Sequence, residues 1–129
     1  MILIIGGRAQ GKLEFAGTLC GAQTREKEVA ADGECDPVEA AFSSPYLCHL
    51  EQYVRRLLEE GADPMVFLDR LMRENPCAVV IMDEIGYGIV PADALLREYR
   101  ETVGRVGQRL AAFSDSVYRV VCGIGTKIK

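Results

Sequence analysis

The sequence predicts an α/β fold: a mainly parallel sheet flanked by helices, with a pair of strands at the C-terminal end. Three observations carry this. Residues 1–5 (MILII) and 78–82 (AVVIM) are continuous apolar runs without alternation, as expected of strands buried on both faces. Stretches with helical periodicity lie between such runs, as crossover connections in a parallel sheet require. Gly6-Gly7 ends the first run abruptly, and a helical pattern begins at Gly11. The 129 residues suit one domain, 1–129, large enough to bury a core without disulfides or a structural metal.

Taken in order, the first strand and its glycine turn lead into a helix with Leu13, Ala16 and Leu19 along one face. Residues 28–31 read as a short second strand, and 38–42 as either part of a strand or a helical turn. Gly33, Pro37, Ser43, Ser44 and Pro45 mark turns. Leu47, Leu50, Val54, Leu57 and Leu58 then take helical spacing, ending near Gly61. Asp63-Pro64 is an N-cap followed by proline at the first helical position; its helix carries Phe67, Leu68, Leu71 and Met72 and stops at Asn75-Pro76. After the strand at 78–82 come Asp83 and Glu84, either a magnesium or general-base pair at the strand end where α/β sheets place their sites, or a solvated turn. A long helix over 92–113 has one apolar stripe of Leu95, Tyr99, Val103, Val106, Leu110 and Phe113. Residues 117–122 form a further strand, and Gly123-Ile124-Gly125 leads to a last strand at 126–129, paired with it as a hairpin.

Composition narrows the function. The net charge of −4 and the absence of Trp argue against a nucleic-acid partner, which asks for a basic surplus and stacking platforms. The apolar opening is too short for a signal peptide or a membrane span. Five widely spaced Cys without a C-x-x-C pair read as free thiols in a reducing, cytoplasmic compartment. With one His in the chain, a Cys/His zinc site is not expected.

Gly6-Gly7-Arg8-Ala9-Gln10-Gly11-Lys12 is the G-x-x-x-x-G-K frame of a phosphate-binding P-loop. Glycines let backbone N–H groups converge on phosphate oxygens, the following helix points its positive dipole end at the same anion, and Lys12 reaches the terminal phosphates. The ligand expected is GTP or ATP. The frame normally closes with Ser or Thr, whose hydroxyl holds Mg2+; here Leu13 stands there, so Mg2+ stays a candidate cofactor but would rely on waters and substrate phosphates for its ligands.

Residues 83–112, DEIGYGIVPADALLREYRETVGRVGQRLAA, resemble the N-E-V-G-x-G-I-V-P block and long helix of the adenosylcobinamide kinase / adenosylcobinamide-phosphate guanylyltransferase family. VYRVVCGIGTKIK at the C-terminal end and MILIIGGRAQGK at the start are similar to the same family's closing strand pair and P-loop. The resemblance implies a P-loop nucleoside-triphosphatase-like sheet, an assembly larger than a monomer, and phosphorylation of adenosylcobinamide followed by GMP transfer through a guanylylated histidine. It implies Lys12 and Glu84 as catalytic residues, and Glu84, Gly86, Tyr87, Arg105 and Gln108 as substrate-side residues. Asp83 and Gly107 replace Asn, and the middle of the chain is short. The segment that would hold the family's histidine, residues 26–45, has none; near the place of its middle-strand Asp stand Ser43, Ser44 and Pro45. The single His49, placed by Leu47, Leu50 and Val54 on a helix beside its apolar stripe, reads as a structural residue rather than a nucleophile. Arg97, Glu101 and Arg109, spaced by multiples of four, read as a solvated, ion-paired face. Two outcomes stay open: an active kinase, or a family member that has lost catalysis and acts as a nucleotide-binding or structural subunit.

Overall fold

The computed structural model describes residues 1–21, 30–86 and 92–129. Among them the sheet has six strands in the order β2-β3-β4-β1-β5-β6. β1 (Ile2–Gly6) is central, parallel to β4 (Val79–Asp83) on one side and to β5 (Ser116–Val121) on the other. β2 (Ala30–Asp32) and β3 (Tyr46–Cys48) extend the parallel part beyond β4. β6 (Ile124–Lys127) closes the opposite edge, antiparallel to β5. The α/β class, the mainly parallel sheet and the three neighbouring apolar strands are borne out.

Alternation along the strands divides the core between two faces. Leu3, Val80, Met82 and Val117 point to one side, under α2 (Leu50–Glu59), α3 (Pro64–Glu74) and α4 (Ala94–Phe113). Ile4, Ile81 and Val120 point to the other, under Ala16 of α1 (Lys12–Cys20). Asp63 caps α3 through its side chain, which accepts from the Met65 N–H, with Pro64 at the first position as expected.

Several expectations are corrected. Leu47 lies in β3, not in a helix; its helical spacing to Leu50 and Val54 is a coincidence of a three-residue strand running directly into α2. Of the two readings of residues 38–42, the helical turn is the one observed, as a 3-10 helix (Val38–Phe42). The second strand is Ala30–Asp32; residues 28 and 29 fall outside the described residues. The long helix starts at Ala94, with the Asp93 side chain accepting from the Leu95 and Leu96 N–H groups. Its stripe is buried at Val103, Val106 and Leu110 and half-buried at Tyr99, but Leu95 and Phe113 are exposed. Leu19, near the end of α1, is also exposed. The last strand begins at Ile124, two residues before the expected start. Cys122 and Gly123, at φ 50° and 77°, form a two-residue turn, and positive φ at both central positions matches the right-handed twist of a hairpin.

Candidate functional site

β1 delivers Gly6 to the C-terminal edge of the sheet, and the chain turns through residues 7–11 into α1. Two positions take left-handed backbone, Ala9 at φ 57° and Gly11 at φ 78°. No side chain caps the start of α1. The crest of the loop is tied to the β5–β6 turn: the Gln10 side-chain oxygen accepts from the Cys122 N–H at 2.7 Å, and the Gln10 carbonyl from the Gly123 N–H at 2.9 Å.

Lys12 is buried in this curl. Its Nζ donates to the Gly7 carbonyl at 2.7 Å and to Asp83 Oδ1 at 2.5 Å. Asp83 ends β4 and pairs in register with Gly6, which brings the two together. Behind Asp83 lies Glu51 of α2, 1% exposed, whose Oε2 accepts the Asp83 N–H at 2.9 Å while Oε1 has no partner. Burial raises the Glu51 pKa, and the hydrogen bond from Asp83 only partly offsets it.

A cavity of about 170 Å³ opens above the loop, lined by Ala9 to Glu14 on one side and by Cys48, His49 and Ile81 on the other. Two helix N-termini border it, those of α1 and α2, so two positive dipole ends face one space. His49 is therefore not within a helix, as the spacing predicts, but the left-handed residue (φ 51°) that starts α2, at the cavity wall. Its Nδ1 lies 2.9 Å from Asp32 Oδ1. Burial alone would lower the imidazole pKa, but the hydrogen bond and charge of Asp32, with Glu51 and Glu34, outweigh it and hold it above the usual value. Cys48 is a protonated thiol, its pKa pushed up to about 11 by burial and then by Asp32 and Glu51.

The other proposed site residues are dispersed. Glu84 Oε2 accepts from Arg119 Nε and Nη2, both at 3.1 Å. Gly86, at φ 114°, lets the backbone pass close to Arg100. Both line a second cavity of about 360 Å³ between α4 and the sheet, where Gly104 and Gly107 leave room and Leu3, Ile5, Val103 and Val117 make an apolar wall. Asp83 borders this cavity and, through Lys12, the first. Arg105 and Gln108 are exposed on α4 and line neither cavity. Tyr87 lies outside the described residues. Sequence reasoning missed the alignment of Asp32, Glu34 and Glu51 behind and beside the loop. The pairing of β2 with β3 that sets Asp32 opposite Cys48 leaves no spacing signal in the sequence.

Magnesium held by the loop itself does not fit these residues. Leu13 has no oxygen to offer and packs against the apolar cluster under α1, while the near carboxylates Asp83 and Glu84 pair with Lys12 and Arg119 in this structure.

Residues 47–128 match the family model described as cobinamide kinase / cobinamide phosphate guanyltransferase. The bifunctional adenosylcobalamin biosynthesis protein CobU of Salmonella typhimurium is 55% identical over 81 residues, 61% of this chain and 45% of that protein. Its Escherichia coli counterpart is 51% identical over 51 residues, 40% of this chain and 28% of that one. The matched segments thus span less than half the length of either relative.

Proposed function

The chain belongs to the cobinamide kinase / cobinamide phosphate guanyltransferase family, and from that premise we propose that residues 6–13 bind the phosphates of GTP or ATP, and that the chain phosphorylates adenosylcobinamide in cobalamin biosynthesis. The observation that carries the reading is Lys12: a buried cation in a glycine loop, at the mouth of a cavity bordered by two helix N-termini. A triphosphate entering there exchanges its oxygens for the Gly7 carbonyl and Asp83 on the Lys12 ammonium. Glu84, Gly86, Tyr87, Arg105 and Gln108 are the substrate-side residues of this reading, supported by the family match. Magnesium arrives with the phosphates rather than on a loop hydroxyl, so nucleotide binding depends on it less than in loops ending in Ser or Thr. Five free thiols fit a cytoplasmic setting, and no helix among the described residues is long and apolar enough to cross a membrane. Kinship with the family also favours a homo-oligomer, which sedimentation would measure.

Calorimetric titration with GTP and with ATP, each with and without Mg2+, tests the binding. A coupled kinase assay with adenosylcobinamide tests the transfer. Binding without transfer supports the second reading, a nucleotide-binding subunit, which the apolar packing of Leu13 favours. No binding at millimolar nucleotide, together with no effect of Lys12→Ala, leaves a structural subunit. The guanylyl-transfer half is proposed to be absent, since residues 26–45 hold no His. Incubation with labelled GTP is expected to leave no acid-labile phosphoramidate; stoichiometric label that vanishes in His49→Ala would reverse this.

A further inference from the structure

We propose that Asp32, Glu34 and His49 form a binding site for a divalent first-row transition-metal ion at the rim of the phosphate cavity. One ligand atom from each residue lies within 4.8 Å of the other two. Asp32 Oδ1 and His49 Nδ1 are 2.9 Å apart. The two are hydrogen-bonded at that distance, and two adjacent ligands on an octahedral ion with bonds of about 2.1 Å stand about 3.0 Å apart, so an ion that replaces the shared proton needs little change in their spacing.

The backbone holds the three in place. β2 pairs with β3 so that Asp32 stands opposite Cys48, the residue before His49. The Gly33 N–H donates to the Cys48 carbonyl at 3.0 Å. Arg56 Nη1 donates to the carbonyls of Gly33 and Asp36, at 3.1 and 2.7 Å, and so fixes the turn that carries Glu34. The donor set also points to a class of ion. An imidazole beside two carboxylates suits manganese, iron or zinc, whereas magnesium and calcium take oxygen alone. Three protein ligands leave positions open for water or for the oxygens of an anion in the adjoining cavity, whose wall includes His49. A neighbouring cation among the described residues, Arg8 of the phosphate loop, reaches Glu34 at 3.4 Å from a largely exposed position and can be displaced by an ion.

The site does not depend on nucleotide binding, and its test uses none. Mn2+ is titrated into the nucleotide-free chain and the free ion followed by its paramagnetic resonance signal. Saturable binding of a single ion at submillimolar Mn2+ is expected. Asp32→Asn, Glu34→Gln and His49→Asn should each weaken it by ~10-fold or more. Asn is chosen at position 49 because it tolerates the left-handed backbone there. Glu34 lies exposed on a turn, so Glu34→Gln reports on the ion even if another variant unfolds. Absence of saturable binding below millimolar Mn2+, or equal affinity in wild type and Glu34→Gln, overturns the proposal. A chain that binds Mn2+ but no nucleotide keeps the metal site and loses the phosphate reading; one that binds nucleotide but no Mn2+ does the opposite.

Discussion

Lys12 is a cation held against its own loop, and its partners decide what a ligand must displace. On the proposed reading, a phosphate replacing the Gly7 carbonyl and Asp83 would gain a charge-assisted bond already sheltered from water. Lys12→Ala is expected to weaken triphosphate binding by ~1–3 kcal/mol, the range for a hydrogen bond to a charged group, as measured by calorimetry. Asp83→Ala has a different signature. It leaves the buried ammonium without its counter-ion, which costs about 3–5 kcal/mol when a buried pair is broken. Urea unfolding in anion-free buffer should show that loss, and inorganic phosphate should restore part of it by taking the place of the carboxylate. A variant as stable as wild type in that buffer would mean the pair contributes nothing.

At the scale of elements, α4 is anchored by its middle. Leu110 is fully buried and Leu95 is 43% exposed, although both lie on the apolar stripe seen in the sequence. Leu110→Ala should cost ~2–5 kcal/mol by leaving a cavity, whereas Leu95→Ala should stay within about 0.5 kcal/mol as a surface change. Paired urea unfolding curves test the contrast, and equal losses would show that the N-terminal turn of α4 is also packed. The β2–α2 junction is tighter. A Cβ at Gly33 would overlap the His49 carbonyl oxygen and stand 3.0 Å from the Tyr53 nitrogen and ring. The obstacle is largely backbone, so Gly33→Ala is expected to cost ~1–3 kcal/mol, the usual penalty of overpacking, and to shift His49. A chemical-shift change of the single imidazole alongside the lower melting temperature would confirm both parts.

Over the whole molecule, what could be read in the sequence follows from how many residues carry each signal. The strands of β1, β4 and β5 and the three longer helices repeat their pattern often enough to stand out. β3 has only three residues, and its Leu47 falls into step with the helix behind it, so local periodicity hides the strand. The glycine loop of residues 6–12 was legible because its glycines and lysine fall in one short stretch. Asp32, Glu34 and His49 were not, because β2, a turn and the β3–α2 junction bring them together only when two short strands pair. The same holds for Lys12 and Asp83, 71 residues apart in the chain and joined by the register of β1 with β4.

The bond between Gln10 and the β5–β6 turn sets a timetable for the protein's synthesis. Gln10 leaves the ribosome long before Cys122 and Gly123, the residues that hold the crest of its loop. Such distant contacts form late, because the intervening chain must first be ordered. A nascent chain can thus carry the complete glycine motif while the crest of its loop is still unbraced. A nucleotide recognising the finished cradle would not guide early folding. It would favour the braced loop afterwards by mass action, drawing the population towards chains whose β5–β6 hairpin has closed.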